Sequence, residues 1–208
     1  MTTESSGVAL VAGEATDEIR IVGLKKEHLP QSCEVLKDAF QSKRFLGCFP
    51  VADSITEMTK RYEEYPQRKW DLGAVAVDSN NSVLGFIQMT DADLPMYPAG
   101  LHRCKTTEIY IETAGVSAQA RGKGIGGKLL AWCDETAKSC NKYTLLSLSV
   151  LRGNSAIRLY ERHGFVIQNE DDVGEQWCDA MVVCCLFGRP YGCSDSGWGS
   201  VTMHKAIG

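Results

Sequence analysis

A glycine-rich stretch at residues 119–130 has the residue types and spacing of an anion-binding loop. Four glycines and two basic residues fall within seven positions: Arg121, Gly122, Lys123, Gly124, Gly126 and Gly127. Glycine lets a backbone approach a ligand closely, and the N–H groups at a helix N-terminus point outward, so this composition favours phosphate. An ordinary strand-to-helix turn needs one glycine, and glycines inside a helix are destabilising. We therefore predict a phosphate-binding helix N-terminus here.

Two nucleotide-binding motifs fit this loop only in part. Gly122, Gly124 and Gly127 satisfy G-x-G-x-x-G, but that fingerprint expects an acid at the end of the next strand, where it binds a ribose. The next predicted strand, 145–150, contains no acid. The loop also nearly matches a P-loop, but Leu129 stands where a Ser or Thr should reach magnesium. Both interpretations lack a required group, and magnesium–ATP binding stays a minor alternative.

Two blocks of the sequence resemble the GNAT acetyltransferase superfamily. Residues 116–126, VSAQARGKGIG, are similar to its pyrophosphate motif Q/R-x-x-G-x-G/A. Residues 150–165, VLRGNSAIRLYERHGF, are similar to its strand–helix–strand segment, which ends in Ala-x-x-Leu-Tyr-Glu-x-x-Gly-Phe. The blocks occur in the family's order and at its usual separation. The resemblance covers 107–165, extends by element order to 18–89, and implies N-acetyl transfer from acetyl-CoA in a ternary complex, with no metal.

The resemblance also implies which residues contact the cofactor. In the family, the strand before the loop separates from the next parallel strand, and the wedge between them admits the pantetheine arm of the cofactor. The corresponding positions are Ala114, Gly115, Val116, Gln119, Arg121, Gly122, Lys123, Gly124, Ile125, Gly126, Gly127, Asn154, Ala156 and Tyr160. Asn154 lies one residue closer to the tyrosine than in the commonest family spacing.

An amine acceptor imposes its own proton chemistry. An alkylammonium has a pKa near 10 and cannot attack a thioester until it loses a proton. Glu108, Tyr110 and Glu112 share one face of a predicted strand, so Glu108 or Glu112 is the candidate base, directly or through water. Either could instead be a solvated surface acid. Tyr160 matches the family's tyrosine near the sulfur and is the candidate acid for the departing thiolate, the alternative being a core aromatic.

Other reactive residue types carry weaker signals. His163 lies at the end of a predicted helix, where the helix dipole favours a positive charge. His102 lies in the loop before the predicted strand that carries Glu108, where it could contact the substrate. Nine cysteines without a Cys-x-x-Cys pair favour free thiols in a cytoplasmic or nuclear protein over disulfides or a zinc site. A covalent cysteine mechanism would need a histidine partner that the spacing does not supply.

The predicted elements that position these residues form a hairpin-rich half followed by a β-α-β unit. Strands are predicted at 18–24, 74–77, 83–89, 107–116, 145–150, 165–168 and 197–206, and helices at 27–40, 54–64, 122–138, 155–163 and 175–187. This order predicts an α/β (α+β) fold with a central mixed sheet and helices on both faces. The helix at 175–187 is apolar nearly all round and should be buried, covering the acceptor side or a dimer contact.

Composition limits the class of protein further. With 208 residues and 44% hydrophobic residues, the chain is expected to hold one domain at 18–208 after a loose tail at 1–17, with an insertion at about 169–196. We expect no membrane span, no secretory signal and, at net charge -4 without a basic face, no nucleic-acid partner. The acceptor is expected to be a small-molecule or protein amine, and the chain a monomer or homodimer. An acyl-CoA-binding sensor or interaction domain without turnover is the alternative.

Overall fold

The computed structural model describes residues 18–40, 44–45, 49–50, 54–96, 102–168, 193–194, 197–198 and 200–208. The strands are β1 (Arg20–Gly23), β2 (Arg44–Phe45), β3 (Phe49–Pro50), β4 (Gly73–Val77), β5 (Val83–Asp91), β6 (Glu108–Val116), β7 (Leu145–Leu151), β8 (Val166–Ile167), β9 (Cys193–Ser194), β10 (Gly197–Trp198) and β11 (Ser200–Ala206). The helices are α1 (Leu29–Phe40), α2 (Ile55–Glu64), α3 (Gln67–Asp71), α4 (Ile125–Ser139) and α5 (Ile157–Arg162). The predicted tail at 1–17 and the predicted helix at 175–187 lie outside the described residues, so both stay predictions, as does the single-domain division.

Seven strands form one mixed sheet in the order β1-β4-β5-β6-β7-β11-β8. Only β6 and β7 run parallel, and every other neighbouring pair in this sheet is antiparallel. The parallel pair is joined through α4, as a β-α-β crossover requires. The predicted hairpin is present as β4–β5, and the predicted mixed sheet is confirmed.

Helices cover both faces of this sheet. On one face Ile125 and Leu129 of α4 belong to the same buried cluster as Ile109 and Ile111 of β6. On the other face, residues of α1 and α2 form a second cluster with β4 and β5: Leu29, Cys33, Met58, Tyr62, Val75 and Phe86. Helices α1 and α4 pack on the two sides of β6, the strand that carries Glu108 and Glu112.

The boundaries of several predicted elements need correction. The first predicted helix is divided into a 3-10 turn at Lys26–His28 and α1. The last predicted strand is present as β10 and β11 rather than as one run, and α5 is shorter than predicted. The short α3 was not predicted, because its sequence QRKWD carries too few apolar residues to show a helical face.

Helix α4 begins at Ile125, three residues later than predicted. Gly122 and Gly124 have φ angles of +79° and +76°, which a right-handed helix does not admit. Glycine adopts this backbone without the Cβ penalty of other residues. The loop 121–124 is therefore a separate structure in front of the helix rather than its first turn.

Candidate functional site

Strands β6 and β7 pair in parallel only at their beginnings. Glu108–Ile111 lie in register with Leu145–Leu148. Beyond that point β6 continues to Val116 along β5, while β7 continues to Leu151 along β11. Among the described strands, none pairs with the facing edges of these two end segments. The result is a wedge whose walls offer backbone groups to a ligand, and the predicted positions Ala114, Gly115 and Val116 line one wall.

Gly115 has a packing role beside its place in the wedge. A Cβ added there would lie 3.0 Å from Cβ of Ala39 and 3.2 Å from Cδ2 of Leu36. Both residues belong to α1, so the absent side chain lets that helix lie close against β6. The glycine is thus explained by helix packing, and only its backbone faces the wedge.

The loop before α4 presents a continuous row of hydrogen-bond donors. From Gly122 to Gly127, six consecutive backbone N–H groups have no acceptor among the described residues. The first N–H that returns to the chain is that of Lys128, 3.1 Å from the Gly124 carbonyl oxygen. Arg121 and Lys123 are exposed beside the row. A helix N-terminus extended by such a loop is a strong site for an anion of phosphate type.

The four loop glycines have two different roles. A Cβ at Gly122 or Gly124 would meet nothing within 4 Å, so these two are required for their backbone angles. A Cβ at Gly126 would lie 2.9 Å from Cδ2 of Leu159, and one at Gly127 would lie 3.0 Å from Nε2 of His163. Gly126 and Gly127 therefore allow α4 to approach α5, and only their N–H groups face the candidate anion site.

Two more predicted cofactor residues, Asn154 and Ala156, lie just before α5. The structure gives Asn154 a structural role. The Asn154 side-chain oxygen accepts a hydrogen bond from the Ala156 N–H at 3.0 Å, and its carbonyl oxygen accepts one from the Ile157 N–H at 3.1 Å. Asparagine commonly closes a turn in this way at the start of a helix. Gln119 is exposed in a 3-10 turn just before the loop.

Glu108 is a buried carboxylate with three donors. Its Oε1 lies 2.7 Å from Nε2 of His102 and also accepts from the Ser147 hydroxyl, and its Oε2 accepts from the Lys105 N–H at 2.9 Å. Burial alone would raise its pKa, but the donors outweigh burial and lower the pKa of Glu108 to about 2. The residue is therefore an anion at neutral pH and a weak proton acceptor.

This lowered pKa predicts a pH-dependent contribution to stability. The ordinary pKa is 4.5 and the folded value is about 2, so the stabilisation is complete above 4.5 and is lost as the pH falls through 2. We expect Glu108→Gln to lower the free energy of unfolding by about 2 to 3 kcal/mol at neutral pH. Urea unfolding at a series of pH values should show this difference shrinking below pH 4.5. A difference that stays constant down to the acid limit would contradict the assignment.

Glu112 lies at a β-bulge and is paired with a buried lysine. The β5–β6 register passes from Gln88–Thr113 to Met89–Ile111, which leaves Glu112 without an opposite residue. Its carboxylate contacts Nζ of Lys69, whose side chain is 0% exposed against 6% for Glu112. Burial lowers the pKa of Lys69, and the Glu112 carboxylate opposes that shift. The acid is thus held in an ion pair at the point where β6 and β7 separate.

Helix α3, which was not predicted, carries Lys69 and is held in place by contacts on both sides of the Lys69–Glu112 ion pair. Arg68 contacts the buried Asp91 at the end of β5 and donates to the Tyr143 hydroxyl at 2.8 Å. The Lys69 carbonyl oxygen accepts from the Gln88 side chain at 2.8 Å. Lys69 is the residue that the sequence analysis missed, because a lysine in a polar segment is normally a surface residue.

Tyr160, the third candidate catalytic residue, packs on α5 at the edge of the core. It is partly buried and lies edge-on to Phe165 with ring centroids 6.0 Å apart. Burial, and then the neighbouring Tyr110 and Cys133, raise the pKa of Tyr160 to about 12. Its hydroxyl has no hydrogen-bond partner among the described residues. The phenol therefore stays protonated and can donate to a ligand.

The described part of the chain holds no group of three or more His, Cys, Asp or Glu side chains that could bind a metal ion. None of the helices in that part combines the length and the apolar character that a bilayer crossing needs.

Comparison with known proteins identifies one family. Residues 40–165, more than half of the chain, match the model of the acetyltransferase (GNAT) family. No curated protein matches the chain in sequence. Among solved structures, the yncA protein of Salmonella typhimurium, solved with its cofactor acetyl-CoA, has a TM-score of 0.60 at 16% identity, over 91% of this chain and 94% of its own.

Two further structures have the same fold. The GNAT-family acetyltransferase of Streptococcus pneumoniae has a TM-score of 0.59 at 19% identity, over 92% of this chain and 100% of its own. The GCN5-related N-acetyltransferase of Kribbella flavida has a TM-score of 0.59 at 17% identity, over 91% of this chain and 98% of its own. At these identities the likeness concerns the fold, and it agrees with the family match.

Proposed function

Because this chain belongs to the GNAT acetyltransferase family, we propose that it moves an acetyl group from acetyl-CoA to a primary amine, by direct attack in a ternary complex. The observation that carries the proposal is the row of six N–H groups from Gly122 to Gly127, which have no acceptor in the described part of the chain and lie beside the wedge between β6 and β7. The row suits the cofactor's pyrophosphate, with Arg121 and Lys123 adding positive charge. The free strand edges suit the amides of the pantetheine arm.

The reaction needs the amine as a neutral nucleophile. Its lone pair attacks the thioester carbonyl carbon, and the negative charge that develops on the carbonyl oxygen is stabilised by a backbone N–H at the wedge. The ammonium loses its proton beside the polar cluster on β6, which includes Glu108 and Glu112. Collapse of the tetrahedral intermediate breaks the carbon–sulfur bond and releases the thiolate of coenzyme A.

Tyr160 is assigned the role of hydrogen-bond donor to the leaving thiolate of coenzyme A. Its pKa of about 12 lies well above that of a thiol near 8.5, so full proton transfer to sulfur would be unfavourable. A hydrogen bond from the protonated phenol still stabilises the thiolate as the bond breaks. The thiolate then takes its proton from solvent.

Removing this hydroxyl should affect turnover and leave binding unchanged. We expect Tyr160→Phe to lower kcat about 30-fold, within the range for a single positioned donor. The dissociation constant of acetyl-CoA should change less than about twofold, because the ring and its contact with Phe165 remain. Steady-state kinetics and calorimetry on the same preparations measure both quantities. An unchanged kcat would remove Tyr160 from the mechanism.

Donor binding is tested by calorimetric titration with acetyl-CoA and, separately, with magnesium–ATP. We expect saturable acetyl-CoA binding and no ATP binding, because Leu129 lacks the hydroxyl that a P-loop uses for magnesium. Absence of acetyl-CoA binding at millimolar ligand would overturn the proposed function. Binding of ATP in its place would favour the nucleotide alternative.

A cytoplasmic or nuclear location is part of the proposal. Cys33, Cys104, Cys133 and Cys140 form no disulfide in the described part of the chain, and Cys33 and Cys133 are buried. Free thiols persist most readily in a reducing compartment. Burial raises the pKa of the Cys104 thiol to about 11, so it is a poor nucleophile, in agreement with acetyl transfer that does not pass through a cysteine.

A further inference from the structure

The imidazole of His102 is held by two independent contacts. Its Nε2 lies 2.7 Å from Oε1 of Glu108, and its ring stacks on Tyr110 with centroids 4.5 Å apart and planes 13° apart. The hydrogen bond sets the direction of the ring and the stack sets its plane. A histidine that was merely in a surface loop would lack both restraints.

The geometry distinguishes the roles of the acid and the imidazole. Both Glu108 oxygens are occupied by donors from His102, Ser147 and Lys105, and the acid side chain is only 4% exposed. The His102 side chain is 20% exposed, and its Nδ1 has no partner among the described residues. The imidazole is therefore the member of the pair that a substrate can reach.

Glu108 also determines which imidazole nitrogen carries the proton. An ionised carboxylate only accepts hydrogen bonds, so the neutral imidazole places its proton on Nε2 and donates it to Glu108. The lone pair is then on Nδ1, the nitrogen that has no partner among the residues that the structure describes. This arrangement of base and orienting acid is the one that acyl-transfer chemistry uses repeatedly.

The pair lies close to the wedge. Tyr110, on which His102 stacks, is in register with Ser147, one position before the last β6–β7 pair, Ile111 with Leu148. The backbone edges of both strands become available to a ligand directly after that pair. The imidazole is thus fixed against the residue that borders the entrance of the wedge.

We propose that His102 is the base that takes the proton from the acceptor ammonium and that Glu108 is its positioning residue, an inference that rests on the proposed acetyl transfer. One N–H bond of the ammonium breaks, and its proton binds to Nδ1. The freed lone pair forms the carbon–nitrogen bond, and the carbon–sulfur bond breaks. The nitrogen of the tetrahedral intermediate gives its second proton to solvent, so the amide keeps one N–H bond. The imidazolium, stabilised by the Glu108 anion, also passes its proton to solvent.

The test compares the pH profiles of wild type and His102→Gln on whichever alkylamine the wild type acetylates from a panel of tyramine, spermidine and a lysine-containing peptide. Glutamine keeps a donor for Glu108 but has no basic nitrogen. We expect kcat/KM for the amine at pH 7 to fall about 100-fold or more, while KM for acetyl-CoA is unchanged. The variant's rate should keep rising about tenfold per pH unit, following the neutral amine, while the wild-type rate levels off.

Several controls separate this role from a structural one. Glu108→Gln should show a smaller loss of kcat, about tenfold, with the same KM, because the base remains but its orientation weakens. Imidazole added to His102→Ala should restore part of the lost rate. His28→Gln changes a partly buried histidine in the turn after β1, an edge strand three positions from β6 in the sheet, and should leave the profile unchanged. Charged and titratable groups near His102 include Glu108 and Tyr110 on β6 and Arg103, Cys104 and Lys105 in its own loop. None of these variants alters Tyr110 or the three loop residues.

The outcomes distinguish this inference from the function on which it rests. A His102→Gln enzyme with wild-type rate and profile would overturn the role of His102 and leave acetyl transfer standing. Loss of acetyl-CoA binding in His102→Gln would also overturn it, because the residue would then be structural. A wild type that binds acetyl-CoA but acetylates no amine of the panel would instead overturn the proposed function.

Discussion

Replacing Gly124 with glutamate is expected to weaken acetyl-CoA binding at least about 1,000-fold, or about 4 kcal/mol. Gly124 is the N-cap residue directly before α4, has a φ of +76° and lies within the row of six N–H groups from Gly122 to Gly127. A carboxylate there occupies the donors that the pyrophosphate needs and repels its charge. Calorimetric titration with acetyl-CoA measures the loss, and circular dichroism checks that the variant is folded.

Two further variants separate charge from backbone strain. Gly164 has a φ of +84°, is outside the row of six N–H groups and faces the Lys205 side chain, so Gly164→Glu bears a similar backbone cost and should keep wild-type binding. Gly124→Asn adds no charge, and asparagine tolerates positive φ better than other residues, so its binding should stay within about tenfold of wild type. If Gly124→Glu were folded and bound acetyl-CoA normally, the pyrophosphate could not lie at this loop.

Replacing Lys69 with methionine is expected to lower the free energy of unfolding by about 3 to 5 kcal/mol. Lys69 is fully buried and neutralises Glu112, which is itself 6% exposed. Methionine keeps much of the side-chain volume but leaves a buried carboxylate without its counter-ion. Breaking a buried ion pair in this way costs far more free energy than breaking an exposed one. Urea unfolding at neutral pH measures the change.

Two control variants show whether the loss of stability comes from the ion pair. Lys60→Met alters an exposed lysine of α2 and should stay within about 0.5 kcal/mol of wild type. The double variant Lys69→Met with Glu112→Leu removes both charges and should recover most of the loss. A Lys69→Met protein as stable as Lys60→Met would show that the buried pair contributes nothing measurable.

The candidate donor site could be predicted from the sequence in large part because its signals are local. Gly122 and Gly124 require special backbone angles, and they lie between an alternating strand and an apolar helix, so their place in the fold follows from short-range patterns. The start of α4 was wrong by three residues because glycine is compatible with both a loop and a helix end. Only the observed φ angles decide between them.

The polar cluster on β6 could be predicted only in part. The period-two pattern put Glu108, Tyr110 and Glu112 on one face, but it carried no sign of the bulge at Glu112. Lys69 is 43 residues from its partner Glu112, and no local pattern identifies a lysine that is buried by a distant acid. His102 is only six residues from Glu108, yet their contact depends on how the loop returns over the strand.

Acetyl transfer itself is the central claim, and one measurement tests it most directly. The purified chain is incubated with acetyl-CoA carrying an isotope-labelled acetyl group and with the amine panel, and the amines are analysed by mass spectrometry. We predict labelled acetyl on at least one amine, an equal amount of released coenzyme A, and no label with Gly124→Glu. Acetyl-CoA binding without label on any amine would contradict the account and would identify the chain as an acyl-CoA-binding member of the family without turnover.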